Sequence, residues 1–373
     1  MRVVLFGGTF DPVHSEHVKM AQGALKELSP DKLIVLPSHI PPHKAAAAVS
    51  AADRLEMAKI AFSFDDRIEI SNYEICRGGN SYTYLTAEHF RALYPDSELY
   101  FLLGGDSFFD FEKWVHPEII AKIFKILVVA RGDNSGIEMQ NDRFERAFGY
   151  RAKILSVVGE EMSSTFIRYC LYLGIRNVGL PMGVGDYIAK KGLYKGGEMF
   201  EYISANLKPK RALHTSGVIE CALKLNAQLG LDCNQVITAA ALHDVAKYMN
   251  AADFPAFKCE DGIPQSVIHA FLGEWVAREV LGITDGQILS AIRYHTTGKP
   301  DMTPLEKLIY TADLIERGRD YPSVERLRKI AYADFERGFV ECIKDGYKHL
   351  KQSMLPGGTY YLTKDAYEYY KDK

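Results

Sequence analysis

Residues 2–17 read RVVLFGGTFDPVHSEH, and this stretch decides the fold of the first half of the chain. It opens with a continuous apolar run that ends in Gly7 and Gly8, as expected of a buried parallel strand. Paired glycines let the backbone approach a phosphate closely, and the N-terminus of the following helix favours an anion. Because His14 and His17 stand three residues apart at that terminus, both can reach one polyphosphate. The stretch therefore predicts a phosphate-binding strand-to-helix turn.

Strand-like and helix-like segments alternate after this turn. Strands are predicted at residues 32–38, 67–75, 98–106 and 125–133, and helices at 17–28, 53–64 and 83–93. This alternation is typical of an open, doubly wound α/β sheet whose ligand-binding loops lie at the carboxyl ends of the strands. The turn contains neither a G-x-G-x-x-G nor a Walker A motif, so an ordinary dinucleotide-binding loop or P-loop is not expected.

The second half of the chain has a different pattern. The alternation stops near residue 195, and Gly196-Gly197 marks the expected junction. From there onward nearly every segment has helical periodicity, for example 214–230, 234–250 and 266–282. We therefore expect an α/β domain over residues 1–195 and an all-helical domain over residues 196–373.

Composition and charge exclude several classes of function. The 373 residues include 45 Lys and Arg against 48 Asp and Glu, a net charge of −3, which does not suit a nucleic-acid-binding protein. The six cysteines are scattered without a C-x-x-C pair, so reduced thiols are expected rather than a disulfide framework. No apolar stretch is long enough for a membrane span or a signal sequence. We expect a cytoplasmic protein that acts on small molecules, and a homodimer is allowed for.

Several further motifs of the first half accompany the opening turn. They are Pro41-Pro42-His43-Lys44, Ser81-Tyr82-Thr83, Gly104-Gly105-Asp106-Ser107, Trp114, Arg131 and Ser163-Ser164-Thr165-Phe166-Ile167-Arg168. With these motifs the first half resembles the H-x-G-H superfamily of nucleotidylyltransferases, and specifically nicotinate-nucleotide adenylyltransferase of the bacterial NadD type. The motifs are specific because they occur together.

The resemblance implies a Rossmann-like domain in which a mononucleotide phosphate attacks the α-phosphorus of ATP and releases pyrophosphate. Such a transfer needs no covalent protein intermediate, so positioning and charge neutralisation provide the catalysis. His14 and His17 would hold the phosphates. Lys44 and Arg168 would bind the triphosphate, which Mg²⁺ would bridge. The remaining nucleotide-binding positions would be Gly7, Gly8, Thr9, Phe10, Thr83, Gly104, Asp106, Trp114, Arg131, Ser163, Ser164 and Thr165.

Some of these positions keep a second interpretation. Trp114 suits the core as well as a ligand contact, and Ser163 and Thr165 suit helix capping as well as phosphate binding. His39 suits a plain loop as well as a site. Glu16 stands where the family has Gly, and its carboxylate would be repelled by phosphates unless it points away or binds Mg²⁺.

Polar residues inside apolar helical segments mark a second site. His243 and Asp244 lie in AAALHDVAKY, where flanking alanines predict a buried helix. Burying an imidazole beside a carboxylate is costly unless a charged partner such as a metal compensates them. Further histidines and aspartates lie in other helical segments and can converge on this pair: His214, His269, His295 and Asp313. The imidazole-rich set predicts two ions of iron, manganese or zinc.

Four motifs carry a second resemblance. They are HDVAK, IHAFLGEWVA, IRYHTTG and ADLIERGRDYPSVERLR. These resemble the HD-domain phosphohydrolases, and more closely the YqeK family of symmetrical diadenosine tetraphosphate hydrolases. The implied ligands are His214, His243, Asp244 and Asp313 for one metal, and Asp244, His269 and His295 for the other. A water whose pKa the metals lower would attack the tetraphosphate and yield two ADP, and Lys247 would neutralise phosphate charge.

The substrate of the helical domain stays open at this level. HD sites share metal ligands across substrates, so a nucleoside monophosphate or guanosine tetraphosphate is an alternative. A non-catalytic nucleotide sensor that regulates the transferase is a third interpretation. Arg317 and Arg319 suit either a phosphate clamp or solvent, and Thr296 to Lys299 would shape the loop over the substrate.

Overall fold

The computed structural model describes residues 1–40, 47–130, 135–159, 162–176, 178–258, 262–352 and 360–373. The chain divides into two compact units. The first contains Met1–Arg168 and Arg176–Lys195, and the second contains Tyr169–Ile175 and Gly196–Lys373. The short segment Tyr169–Ile175 thus belongs with the second unit, although it precedes residue 195 in the chain.

Six parallel strands form one sheet in the described part of the first unit, in the order β3-β2-β1-β4-β5-β6. The strands are β1 (Arg2–Gly8), β2 (Lys32–Pro37), β3 (Ile68–Ile70), β4 (Glu98–Gly104), β5 (Lys125–Val129) and β6 (Lys153–Ile154). β1 pairs with both β2 and β4, so the strand order reverses at its two sides. Ligands of doubly wound sheets bind at such a switch point, which here lies beyond Gly8 and Gly104.

Helices connect these strands and cover the sheet. They are α1 (Ser15–Leu28), α2 (Ala51–Ala61), α3 (Tyr73–Arg77), α4 (Thr83–Leu93), α5 (Gly105–Phe109), α6 (Pro117–Ile123), α7 (Ser135–Phe148), α8 (Ser164–Tyr172) and α9 (Val184–Lys191), with a 3₁₀ turn at Phe111–Lys113. Apolar strand residues such as Val3, Leu5 and Val128 are buried with helix residues in the core. The predicted α/β architecture of the first half is confirmed.

Three of the predicted strands are too long. The one expected over residues 125–133 ends at Val129, and residues 131–133 lie outside the described part of the chain. The strand expected over residues 67–75 ends at Ile70, because its last ladder bond runs from Ser71 N–H to Val35 O and the chain then turns into α3. The strand expected over residues 98–106 ends at Gly104, where α5 begins at once. After each of these last two strands a short helix follows directly, and a run of apolar residues does not distinguish it from a longer strand.

The second unit is helical throughout its described residues. Its helices are α10 (Gly197–Asn206), α11 (Pro209–Asn226), α12 (Cys233–Leu242), α13 (Ile268–Glu279), α14 (Gly286–Tyr294), α15 (Pro304–Ile315), α16 (Val324–Ala333), α17 (Phe335–Gln352) and α18 (Tyr361–Tyr370), with a 3₁₀ turn at Ala251–Asp253. Their apolar faces share one core, which includes Val218, Leu242 and Ile309. The predicted all-helical second half is confirmed.

The prediction that His243 and Asp244 lie inside a helix is wrong. α12 ends at Leu242, and His243 is its C-cap residue. Nδ1–H of His243 donates to the carbonyl of Ala240 at 2.7 Å. The backbone N–H of Val245 then donates to the carbonyl of Leu242, only three residues earlier, as in a turn. The pair is buried as expected, but it lies on a tight turn.

Candidate functional sites

A cavity of about 610 Å³ opens at the switch point of the sheet. Six predicted nucleotide-binding residues line it: Gly7, Gly8, Thr9, Thr83, Asp106 and Trp114. Its walls come from the ends of β1 and β4, the start of α4 and the segment after α5. Its size suits a small-molecule ligand. Lys44 and Arg131, two of the predicted ligand contacts, lie outside the described residues, as does His43.

His14 and His17 meet at the N-terminus of α1. His14 is the N-cap residue, and its backbone N–H donates to Nδ1 of His17 at 3.2 Å. The two imidazole rings stack with centroids 3.6 Å apart. His14 is buried and His17 is half-buried. The predicted pair is therefore assembled at a helix terminus, where the peptide dipoles favour an anion.

Phe10 lies beneath this pair rather than along the cavity. It is 1% exposed, has a φ of 51°, and makes an edge contact with the His17 ring at 5.0 Å. A Cβ on Gly8 would lie 2.9 Å from the ring of Phe10. The glycine is thus needed for packing inside the turn, independently of any approach to phosphate.

Arg168 binds the backbone of the opening turn. Its Nη1 donates to the carbonyl of Asp11 at 2.6 Å, and its Nη2 donates to Oγ1 of Thr165 at 3.1 Å. Asp11 itself accepts from Tyr194 OH at 2.7 Å and from Ala48 N–H at 2.7 Å. Burial and the Asp11 charge raise the pKa of Tyr194, which keeps its hydroxyl a donor. Arg168 therefore braces the turn that carries the two histidines.

The serines at the start of α8 are also engaged. Ser163 Oγ accepts from the backbone N–H of Phe166 at 3.1 Å, which is a helix-capping contact. Ser164 Oγ donates to the carbonyl of Pro12 at 3.0 Å, so α8 contacts the opening turn a second time. Thr165 instead accepts the hydrogen bond from Arg168.

Trp114 serves the core and the cavity together. Its ring packs against the rings of Phe101 and Phe111, with centroids 6.3 and 5.3 Å away, and it also lines the cavity. Gly104 is the N-cap of α5, and Asp106 is exposed in the first turn of that helix. Glu16 is 4% exposed in the first turn of α1, with Lys19 Nζ 4.0 Å from its carboxylate.

Two buried charged residues of this site were not predicted. Arg54 of α2 is 1% exposed and donates to the carbonyls of Thr9 and Ser38 at 2.8 and 2.6 Å. Glu74 lines the cavity and accepts from Thr86 Oγ1 at 2.7 Å, and burial raises the pKa of its carboxyl. Arg54 carries no motif, and Glu74 was hidden by the strand predicted over residues 67–75.

The second unit brings all six predicted metal ligands together. They are His214 of α11, His243 and Asp244 after α12, His269 of α13, His295 at the end of α14, and Asp313 of α15. Asp244 is central because its two carboxylate oxygens face different neighbours. We call these two sides the Asp313 side, which Oδ2 faces, and the His269 side, which Oδ1 faces.

On the Asp313 side, two imidazoles face Oδ2 of Asp244, and Asp313 faces both imidazoles. His243 Nε2 lies 3.5 Å from this oxygen and His214 Nε2 lies 3.9 Å from it. The two Nε2 atoms are 3.4 Å apart. Asp313 Oδ1 is 3.0 Å from His214 Nε2 and 3.9 Å from His243 Nε2.

On the His269 side, Oδ1 of Asp244 faces two imidazoles and a cation. His269 Nε2 lies 3.1 Å away and His295 Nε2 lies 3.6 Å away. Lys247 Nζ is 3.5 Å from the same oxygen and 3.0 Å from His269 Nε2. Thr296 Oγ1 is 2.9 Å from His295 Nε2.

Electrostatic shifts in the cluster follow from this crowding. Burial alone would raise the pKa of Asp244, but the adjacent His243 and nearby His269 hold it well below its usual range. Burial would likewise raise the pKa of Asp313, but the contact with His214 and the charges of Arg319 and His243 together hold it well below its usual range. Burial lowers the pKa of His269 to about 4. The cluster thus combines ionised carboxylates with a neutral imidazole at neutral pH.

These residues fit a divalent metal. Oδ1 of Asp244 is buried and accepts no well-directed hydrogen bond from the described residues. Two groups have donor atoms that all lie within 4.8 Å of one another: His214, His243 and Asp313, and His243, Asp244 and His295. Imidazole and carboxylate donors at this spacing suit iron, manganese or zinc. A cation would compensate both carboxylates.

Two arginines each contact one of the two carboxylates of the cluster. Arg211 Nη1 lies 2.7 Å from Asp244 Oδ2, and Arg319 Nη2 lies 2.6 Å from Asp313 Oδ1. Arg317 instead lies 3.6 Å from Glu220. Arg211 was not predicted, although it precedes His214 by three residues on α11 and so shares its helix face.

None of the helices in the described part of the chain is both long and apolar enough to cross a membrane.

Two family models match separate parts of the chain. The cytidylyltransferase-like family model matches residues 5–169, and the HD domain model matches residues 211–318. A solved structure, described as a predicted HD superfamily hydrolase involved in NAD metabolism from Clostridium acetobutylicum, is 31% identical. It covers 47% of this chain and 95% of its own, with a TM-score of 0.43.

Two curated relatives differ in how much of the chain they match. The probable nicotinate-nucleotide adenylyltransferase/Ap4A hydrolase of Mycoplasma genitalium is 26% identical over 92% of this chain and 97% of that protein. The probable nicotinate-nucleotide adenylyltransferase of Clostridium tetani is 37% identical over 51% of this chain and 98% of that protein. The chain therefore belongs to the nicotinate-nucleotide adenylyltransferase family and carries an HD domain fused behind its adenylyltransferase domain.

Proposed function

We propose that the chain is bifunctional. Residues 1–195 transfer AMP from ATP to nicotinate mononucleotide, giving nicotinate adenine dinucleotide and pyrophosphate. Residues 196–373 hydrolyse diadenosine tetraphosphate to two ADP. The observation that carries this proposal is the near full-length similarity to the Mycoplasma genitalium protein, whose name joins both activities.

The first activity uses the helix terminus and the cavity beside it. His14 and His17 stack at the N-terminus of α1, where they hold and neutralise the phosphates of ATP. Arg168 supports the same turn through Asp11 and contributes positive charge, and Lys44 binds the triphosphate. Mg²⁺ accompanies ATP and screens the charge of the phosphates. The cavity holds the reacting nucleotides in line, so positioning supplies most of the rate enhancement.

Synthesis of nicotinate adenine dinucleotide by the purified full-length chain tests this activity. We expect product with ATP, Mg²⁺ and nicotinate mononucleotide, and its loss in His17→Ala. His349→Ala is the matched control, because His349 is exposed on α17 in the other unit. Full activity in His17→Ala would contradict the assignment of that residue. Equal rates with nicotinamide mononucleotide would contradict selectivity for the nicotinate substrate.

The second activity uses the cluster around Asp244. His214, His243 and Asp313 would hold one ion and His269 and His295 the other, with Asp244 between them. When bound, such ions lower the pKa of a water that attacks phosphorus.

Cationic side chains beside the cluster serve the substrate. Lys247 and Arg211 lie at its edge, where they neutralise phosphate charge. Iron is the ion that we favour, with Mn²⁺ or Zn²⁺ as substitutes.

A product assay on the full-length chain tests the second activity. With diadenosine tetraphosphate and Fe²⁺ or Mn²⁺, we expect ADP alone, and no product from Asp244→Asn. Asp253→Asn is the control, because Asp253 is exposed in the same unit. ATP together with AMP would mean asymmetric cleavage. Turnover only of a nucleoside monophosphate or guanosine tetraphosphate would replace the substrate, and binding without turnover would favour a sensor.

A further inference from the structure

His214 lies between two carboxylates from one helix segment. Asp313 Oδ1 is 3.0 Å from its Nε2, and Glu316 Oε1 is 3.0 Å from its Nδ1. Asp313 belongs to α15 and Glu316 is the C-cap residue of that helix, three positions later. This spacing places both side chains on the same face, toward α11. Glu316 was not among the predicted site residues.

Glu316 is fixed by contacts of its own. It is 2% exposed, and its Oε2 accepts from the backbone N–H of Gly318 at 2.6 Å. Its carbonyl accepts from Arg328 at 2.5 Å. A Cβ on Gly217 would lie only 2.3 Å from Oε2, so the glycine one turn after His214 makes room for this carboxylate. The partner of His214 is therefore built into the packing of α11 against α15.

The contact with Glu316 fixes where the proton of His214 lies when a metal ion is bound. Asp313 faces Nε2 and Glu316 faces Nδ1, and an ion on the Asp313 side would take the lone pair of Nε2, so Nδ1–H would then donate to Glu316. His243 and His295 obtain the same orientation from neutral backbone carbonyls, those of Ala240 and Ile292, at 2.7 and 2.8 Å. The charged partner of His214 makes its imidazole the more basic ligand.

We propose that Glu316 is a positioning residue that orients His214 and strengthens its binding of the metal ion on the Asp313 side of Asp244. The proposal rests on the metal-dependent activity proposed above. It deepens that activity by making one of the two metal positions depend on a residue that contacts neither the ion nor the substrate. Loss of Glu316 weakens the ion on the Asp313 side and leaves the His269 side in place.

Titration of the full-length chain with Mn²⁺ alone, followed by electron paramagnetic resonance of the free ion, measures this dependence without any substrate. We expect Glu316→Gln to weaken one of the two Mn²⁺-binding steps by about 10- to 100-fold, the usual effect of losing such a partner, and to leave the other unchanged. The matched control is Glu306→Gln, because Glu306 is a 1% exposed glutamate of the same helix. Its described contacts are with Ser290, Lys299 and Thr303, so Mn²⁺ binding should stay near wild type.

A double substitution separates positioning from general destabilisation. In a His214→Ala background, Glu316→Gln should cause no further loss of Mn²⁺ affinity, because its effect passes through the imidazole. Unchanged affinity in Glu316→Gln, equal losses in both glutamine variants, or an undiminished loss in the His214→Ala background would each overturn the proposal. A wild-type chain that binds Mn²⁺ but leaves diadenosine tetraphosphate intact would contradict the hydrolase activity, not the role of Glu316.

Discussion

The backbone N–H of His14 donates to Nδ1 of His17 at 3.2 Å, and the two rings stack. Because Nδ1 accepts this bond, the proton of a neutral His17 ring resides on Nε2. The ring therefore presents a donor, which is the group that a phosphate oxygen needs. The helix cap thus prepares the side chain for anion binding.

The two ring nitrogens of His17 have different roles, since Nδ1 stabilises the helix cap and Nε2 is the donor for phosphate. Asn at this position can accept from His14 N–H through its amide oxygen, but it cannot place a donor where Nε2 lies. We expect His17→Asn and His17→Ala both to lower kcat/KM for adenylyl transfer by about 100-fold or more, as when one preorganised donor is removed. Only His17→Ala should also lose the cap, at about 1 kcal/mol. Kinetics and thermal melting together check this, and an active His17→Asn would contradict it.

Gly8 should tolerate no side chain. A Cβ there would lie 2.9 Å from the ring of Phe10, which itself supports His17. We expect Gly8→Ala to destabilise the chain by about 1–3 kcal/mol, the usual range for overpacking. In Gly286→Ala, by contrast, the new Cβ meets nothing within 4 Å. That control should be neutral or slightly stabilising in denaturant unfolding, and equal behaviour of the two variants would refute the packing argument.

Glu74 should make stability depend on pH. Its folded pKa is raised from the ordinary 4.5 by burial, so ionisation weakens the fold as the pH rises through that raised value. Below the ordinary pKa, both the folded and the unfolded states carry the proton and the effect vanishes. Glu74→Gln keeps an acceptor for Thr86 and should raise Tm by about 2–4 °C at pH 8, the shift that ~1 kcal/mol produces.

Melting curves at pH 4 and pH 8 measure this difference. At pH 4 the gain in Tm should be nearly absent. Glu88→Gln on the exposed side of α4 is the control and should change neither curve. A gain in Tm that is the same at both pH values would show that charge is not the cause.

Metal binding should stabilise the helical unit. Asp244 is a buried carboxylate and Asp313 a half-buried one, and a bound cation would compensate both. Mn²⁺ should therefore raise Tm, by an amount equivalent to about 2.7 kcal/mol at 100 times Kd. A chelator should reverse the shift and stop hydrolysis of diadenosine tetraphosphate. Asp244→Asn should melt at the same temperature with and without Mn²⁺. A shift that persists in this variant would place the ion elsewhere.

The sequence supports the fold well because its strongest signals are local. The apolar run before Gly8 and the helix over Thr83–Leu93 follow from residue pattern alone, and the structure has both. The ends of β3 and α12 do not follow, since they depend on single contacts. At the end of α12 the carbonyl of Ala240 accepts a hydrogen bond from the ring of His243. At the end of β3 the backbone N–H of Ser71 donates the last bond to the carbonyl of Val35.

The candidate sites divide in the same way. Motif residues such as His14 and Asp244 stand out in the sequence, and the structure brings each beside the partners expected for it. Arg54, Glu74 and Glu316 do not stand out, because a buried charge is recognised only when its partners in distant segments are known. Each of these three is fixed by contacts with a backbone or side chain from another element.

The grouping of Tyr169–Ile175 with the second unit bears on how this chain could be shortened. Leu173 is 3% exposed, shares its hydrophobic cluster with Phe200 and Ile203, and its carbonyl accepts from Ser204 Oγ at 3.0 Å. A fragment that begins at Gly196 would leave these apolar side chains uncovered and prone to self-association. The two units therefore alternate along the chain. A single proteolytic cut cannot release one complete unit, because one of the two fragments always carries a segment that belongs to the other unit.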